Sequence, residues 1–148
     1  MNIQKLLNKI ANPFMKLILR SPLHGMMSGN TLLITVTGRR TGKRYTTPTN
    51  YLQDGDTLTI TSTRERTWWR NLRGGAPVTV LLHGRVAPGQ GTVIEEAQQV
   101  AGALMGYLQK LPNYARYFSV ALDAEGRPNA QDVTRAAQAR VVIQIRLK

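Results

Sequence analysis

Two β-rich runs, residues 45–53 and 57–63, are joined by Asp54-Gly55-Asp56. An acid–glycine turn between alternating runs is a strong local hairpin signal, because glycine supplies the positive φ that tight hairpin turns need. In the second arm Leu58 and Ile60 fall on one face, and Thr57, Thr59, Thr61 and Thr63 on the other. Side chains alternate across a strand, so the aliphatic face must find a core. The threonine face meets either water or a polar site. A chain built on this hairpin folds around antiparallel sheet.

The same alternation recurs. Leu32, Ile34 and Val36 share one face of a strand. Val78, Val80 and Leu82 form another, which turns at His83-Gly84 into a strand over residues 85–94. Val141, Ile143, Ile145 and Leu147 point inward at the end of the chain, with Gln144 and Arg146 outward. Helical signals interrupt the strands. Residues 67–73 read as a short helix closed by Gly74-Gly75. Residues 95–111 read as a longer one, with acids in its first turn and Lys110 near its end. A third runs from Asn129 or Gln131 to Ala139, after a polar turn over residues 123–129. At the start, Ile3, Leu6, Leu7, Ile10, Phe14, Leu17 and Ile18 recur at helical spacing, with Lys5, Lys9, Lys16 and Arg20 largely between them. Residues 1–25 thus read as a basic amphipathic helix, bent or restarted at Pro13, and a linker. It either packs on the sheet or lies on an anionic membrane surface. The 148 residues suit one domain, 1–148. Short antiparallel strands with peripheral helices make the expected class mainly β (α+β), a barrel or roll.

Several chemistries are excluded by what the chain lacks. It has no cysteine, so there is no disulfide, thiolate metal site or cysteine nucleophile. His24 and His83 are the only histidines, and the carboxylates are scattered, so no metal site is expected. No catalytic triad, carboxylate pair or glycine-rich dinucleotide pattern is present, so an enzyme of this sequence would draw its chemistry from a bound cofactor. The net charge is +12, and residues 1–53 carry eight Lys or Arg and no acid. Such a field attracts anions.

Three stretches carry candidate chemistry. In Thr37-Gly38-Arg39-Arg40-Thr41-Gly42-Lys43-Arg44, two glycines permit a tight bend among four cations and two hydroxyls. Arginine grips phosphate through paired hydrogen bonds, so the bend suits a phosphate or carboxylate tail as well as water. It lacks the spacing of a Walker loop. In Arg64-Glu65-Arg66-Thr67-Trp68-Trp69-Arg70-Asn71-Leu72-Arg73, adjacent helix positions point about 100° apart. One tryptophan can therefore enter the core while the other faces a cleft, and Arg70 can reach an anion. In Leu111-Pro112-Asn113-Tyr114-Ala115-Arg116-Tyr117-Phe118, Tyr114 and Tyr117 share a face if helical. Their phenols can bond an acceptor oxygen or supply a proton; they can equally be packing aromatics.

The order LLITVTGRRTGKRYTTPTNYLQDGDTLTITST, followed by TWWRNLRGGAPVTV, resembles the deazaflavin-dependent nitroreductase and quinone reductase family. The shared pattern is a glycine-bounded basic turn, a basic residue before a Thr-Pro pair, a DG hairpin, a Trp-aromatic-x-Asn-Leu helix and a Pro-x-Val strand. It runs from about Leu32 to Leu82 and more loosely beyond. The resemblance implies a split β-barrel (an FMN-binding, pyridoxamine-phosphate-oxidase-like roll) that uses coenzyme F420, with FMN a less favoured ligand. It implies that Arg39, Arg40, Thr41, Gly42 and Arg44 hold the coenzyme's phosphate and acidic tail. Thr47 and Pro48 would lie beside the deazaflavin ring with Ser62 and Arg64, and Trp68 and Trp69 would close the pocket. Tyr114 and Tyr117 match two tyrosines that border the substrate, while Leu111 stands where the family has another tyrosine. The stretch between Ser62 and Trp68 is also shorter than in the nitroreductases. The implied reaction is hydride transfer to a quinone or another electron-poor acceptor. The expected setting is cytoplasmic, with the basic first helix either packed on the barrel or peripheral to the inner face of the membrane, and the protein a monomer or homodimer. The other reading of a split barrel is a non-catalytic flavin-, haem- or lipid-binding protein. No nucleic-acid partner is expected, since the aromatics are not interleaved with the basic bend.

Overall fold

The computed structural model describes residues 31–148. The predicted amphipathic helix of residues 1–25 lies outside them. Seven strands are present among the described residues: β1 (Thr31–Thr37), β2 (Arg44–Asn50), β3 (Leu52–Asp54), β4 (Thr57–Thr63), β5 (Ala76–Leu82), β6 (Arg85–Ile94) and β7 (Arg140–Leu147). They form one antiparallel sheet in the order β2-β1-β5-β6-β7-β4-β3. β2 and β3 stand at its opposite ends, yet only Tyr51 separates them in the chain. The sheet therefore curls until its two ends are joined by a single bent run, giving a barrel with an open seam.

That run was expected to be one strand over residues 45–53. It breaks at Tyr51, which is buried and hydrogen-bonded through its hydroxyl to His83 Nε2 at 3.0 Å. Before the break the chain pairs with β1, Pro48 opposite Leu33; after it, with β4, Asp54 opposite Thr57. Pro48 has no N–H, and it sits on the edge strand where such a residue is tolerated. Next to it, Thr47 Oγ1 donates to Pro48 O at 3.5 Å and Thr49 Oγ1 to Asn50 O at 3.3 Å.

The barrel core follows the alternation. Leu32, Ile34 and Val36 meet Leu58, Ile60, Val80, Ile143 and Ile145, all almost fully buried. Each such side chain contributes about 1.5–3 kcal/mol by leaving water. β7 is also buried at Val142, on its outer face, where Val100 and Ala137 cover it. These two belong to α1 (Ala97–Lys110) and α2 (Ala130–Gln138). A second cluster around Leu104, Tyr107, Leu108, Phe118 and Val133 lies on that side of the sheet.

The helices differ from expectation in two respects. α1 begins at Ala97 with no acid in its first turn. Glu96 is instead its N-cap, accepting from the amides of Gln98 and Gln99, and Glu95 is drawn away to Arg73. The tryptophan helix is a 3₁₀ turn, Trp68–Leu72, since five residues before Gly74 leave no room for α-helical propagation. α2 is capped as its sequence suggests, with Asn129 Oδ1 accepting from the Asp132 amide at 2.9 Å.

Candidate active site

β1 and β2 are connected by the basic bend. The Gly38 amide donates to Lys43 O at 2.6 Å and the Gly42 amide to Gly38 O at 2.9 Å. Gly42 has φ +70°, and a side chain on Gly38 would press on Tyr45 Cε2 at 3.0 Å and Lys43 O at 3.1 Å. Both glycines are therefore needed for so tight a connection. The bend is tied to the tryptophan turn by one residue. Asn71 Oδ1 accepts from the Arg39 amide at 3.1 Å, and its Nδ2 donates to Trp68 O at 3.0 Å.

Between bend and turn lies a cleft of about 710 Å³. Arg39, Arg40 and Thr41 line one side; Thr67, Trp68, Arg70, Asn71 and Arg73 line the other, with Tyr45 beneath. Arg73 is held by Glu95 through two bonds of 2.8 and 2.9 Å, and this contact lowers the Glu95 pKa. Arg39, Arg40 and Arg70 form no ion pair among the described residues. Trp68 Nε1 is buried and has no hydrogen-bond partner among the described residues. A buried donor left unpaired is costly, so its natural complement is an acceptor brought by a ligand.

A second cleft has a volume of about 390 Å³. β2 lends Pro48, Thr49 and Asn50; β4 lends Thr61, Ser62 and Thr63. Across from them stand Tyr107, Tyr114 and Tyr117, with Arg66 and Arg140 at the sides. Tyr114 and Tyr117 sit in two successive 3₁₀ turns, Pro112–Tyr114 and Arg116–Phe118, rather than in one helix. They still share the cleft. The two clefts meet at the start of the tryptophan turn, where consecutive residues Arg66 and Thr67 line different ones.

Not every expected residue reaches a cleft. Trp69 enters the core at 2% exposure, and its Nε1 donates to Thr63 O at 3.2 Å. Arg64 is committed to the carbonyls of Gln138 and Glu95. Gly42 shapes the bend without lining the cleft. Arg44 opens β2 opposite Thr37, and Thr47 pairs with Ile34 between the clefts. Conversely, Tyr45, Asn71, Arg73, Arg66, Tyr107 and Arg140 were not expected here. Asn71 and Arg73 lie in the tryptophan stretch, so a signal existed. Arg140 is brought in only by β4–β7 pairing, opposite Thr63.

Burial pushes the Tyr107 hydroxyl up to about 12. The folded pKa exceeds that of an unfolded tyrosine, so folding favours the protonated form. The resulting stabilisation is complete below pH about 10 and is lost between about 10 and 12, worth up to about 2–3 kcal/mol. Tyr107→Phe should therefore flatten the alkaline limb of a melting-temperature profile; an unchanged limb would refute the assignment.

A model of the family described as F420H(2)-dependent quinone reductase matches residues 20–122. The chain belongs to this family. Among solved structures, a putative pyridoxamine 5'-phosphate oxidase from Listeria innocua is 16% identical, with a TM-score of 0.53 over 80% of this chain and 84% of that one. The FAD and heme binding protein from Mycobacterium smegmatis is 19% identical, with a TM-score of 0.50 over 87% and 66%. A putative 5-nitroimidazole antibiotic resistance protein from Bacteroides thetaiotaomicron is 14% identical, with a TM-score of 0.50 over 95% and 81%. At these identities the likeness is one of fold, and the fold is the split barrel. No curated protein matches the sequence.

As a member of the F420H(2)-dependent quinone reductase family, the protein is an oxidoreductase whose cofactor is coenzyme F420. The residues present fit that group. Its phosphate and acidic tail call for cations free of acid partners, which Arg39 and Arg40 supply, and the Trp68 indole N–H, unpaired among the described residues, can take an acceptor.

Proposed function

We propose that the protein reduces a quinone with F420H(2), using the two adjoining clefts as coenzyme and acceptor sites. The observation that carries this reading is the junction itself: a cleft bearing Arg39 and Arg40, which no acid pairs among the described residues, opens beside one lined by hydroxyls and aromatic rings. Arg39, Arg40 and Thr41 would hold the acidic end of the coenzyme, with Trp68 and Arg70 opposite. Pro48 and Ser62 would flank its ring, with Thr47 between. Trp69, Gly42, Arg44 and Arg64 act at one remove, by shaping the bend and anchoring the wall.

The bound coenzyme supplies a hydride. The chain supplies placement and water exclusion. Tyr114 directs its hydroxyl at the acceptor oxygen and can hand it a proton, and Tyr117 borders the same space. A cytoplasmic location, with the basic first segment meeting membrane-dissolved quinone, belongs to this reading. It rests on the charge and spacing of residues 1–25.

The test is to titrate purified protein with F420 and then follow oxidation of F420H(2) by menadione. Binding with turnover supports the proposal; absence of both rejects it. Asn71→Ala provides a sharper check. It frees the Arg39 amide and unties the bend from the tryptophan turn. A lost hydrogen-bonded tie of this kind costs about 1 kcal/mol, so F420 should bind roughly five- to tenfold more weakly. An unaltered Kd would show that the tie does not organise the site.

A further inference from the structure

We propose that the acceptor cleft selects a quinone carrying a negative charge on or beside its ring, and that Arg140 recognises that charge. The proposal rests on the assignment of the tyrosine cleft to the acceptor. Four observations lead to it.

The cleft contains no carboxylate, while Arg66 and Arg140 both line it. Most of its other polar groups are hydroxyls, which can donate to an anion as readily as to a neutral carbonyl. Arg140 makes no ion pair or hydrogen bond through its side chain among the described residues. Finally, the guanidinium is fixed in place by aromatic faces: its Cζ lies 4.6 Å from the ring centroid of Phe118 and 5.3 Å from that of Tyr117. A guanidinium packed on rings keeps its in-plane N–H groups available for a planar anion. A cleft meant only for a long neutral isoprenoid quinone would have no use for two cations beside its tyrosines. An ionised hydroxyquinone, or a quinone with a carboxylate, satisfies both the rings and the charge.

The probes are lawsone, a hydroxynaphthoquinone that is an anion at neutral pH, and menadione, its neutral counterpart of the same ring system. Each is titrated by calorimetry into protein carrying oxidised F420, so that no turnover occurs. The expected result is tighter binding of lawsone than of menadione, weakened by added salt. Arg140→Gln should cost lawsone roughly tenfold or more while leaving menadione within about twofold. Arg140→Lys, which keeps the charge but loses the fork, should retain part of the preference. Equal binding of the two probes would overturn the proposal, and so would an equal loss for both in Arg140→Gln, which marks a packing role. The coenzyme titration keeps the two assignments apart. Lawsone binding through Arg140 without F420 binding would remove the coenzyme reading and leave the anion site standing. F420 binding and menadione turnover without a lawsone preference would do the reverse.

Discussion

Replacing Arg39 and Arg40 together by alanine is expected to weaken F420 binding roughly 100-fold or more, while the melting temperature moves by no more than a degree or two. Both side chains are exposed on the bend, and neither makes an ion pair among the described residues. The fold spends nothing on them, so their loss is cheap for stability. The one structural bond of Arg39 uses its backbone amide, which alanine retains. A charge-assisted hydrogen bond from arginine to phosphate or carboxylate accounts for about a tenfold to hundredfold factor in affinity. Two of them on one anionic tail therefore exceed any other single contribution in the cleft. The salt dependence should change in parallel. Affinity of the parent protein should fall as ionic strength rises, and the double variant should show a shallower slope. Kd values from equilibrium titration at two salt concentrations, with a thermal melt as control, decide the matter. A Kd within twofold of the parent would place the tail elsewhere.

Trp69→Ala should produce the opposite pattern, a large loss of stability. Trp69 is 2% exposed and belongs to the barrel core with Leu72 and Ile60. Its indole N–H satisfies Thr63 O, and the guanidinium carbons of Arg70 and Arg73 lie 5.7 and 5.3 Å from its ring. Truncation would leave a cavity, take one of the two side-chain donors from Thr63 O and remove the ring beneath Arg70 and Arg73. Aromatic-to-alanine changes in cores cost about 3–5 kcal/mol, and in a domain of this size that lowers the melting temperature by roughly 10 °C or more. Its neighbour provides the contrast. Trp68 lines the cleft and holds its indole N–H in reserve, so Trp68→Phe should affect coenzyme affinity far more than folding. Differential scanning fluorimetry of the two variants side by side separates the roles. Equal melting temperatures for Trp69→Ala and the parent would mean that Trp69 does not support the core.

That the adjacent tryptophans would divide between core and cleft was legible from helical geometry, but which one went where was not. Their order depends on how the turn docks on β1 and β6, a tertiary matter. The strands were legible for a simpler reason: Leu58 and Ile60, or Ile143 and Ile145, can be buried together only by a period of two. The bend at Gly38 was legible because glycine and a cluster of cations are informative without any partner. What the sequence could not disclose is convergence. Arg140 stands opposite Thr63 because β7 pairs with β4, and residues so far apart in the chain give no local hint of that. Tyr107 reaches the cleft from α1 although the helix ends at Lys110, before Tyr114. Glu95 looked like a helix-starting acid and proved to be the partner of Arg73, since two strong hydrogen bonds outweigh a favourable place near a helix dipole. Tyr51 gave no sign that it would divide one strand into two.

The open seam has a consequence for how this protein behaves in a crowded solution. An unfinished sheet border invites a foreign strand to zip onto it, and that is a common first step toward fibrils. Here the border strand β2 carries Pro48, which can lend no amide to such a zipper, and Thr47 and Thr49 occupy neighbouring carbonyls with their own hydroxyls. Arg44 at its start adds a repelling charge. These four residues make the border of the open barrel a poor template for a foreign strand.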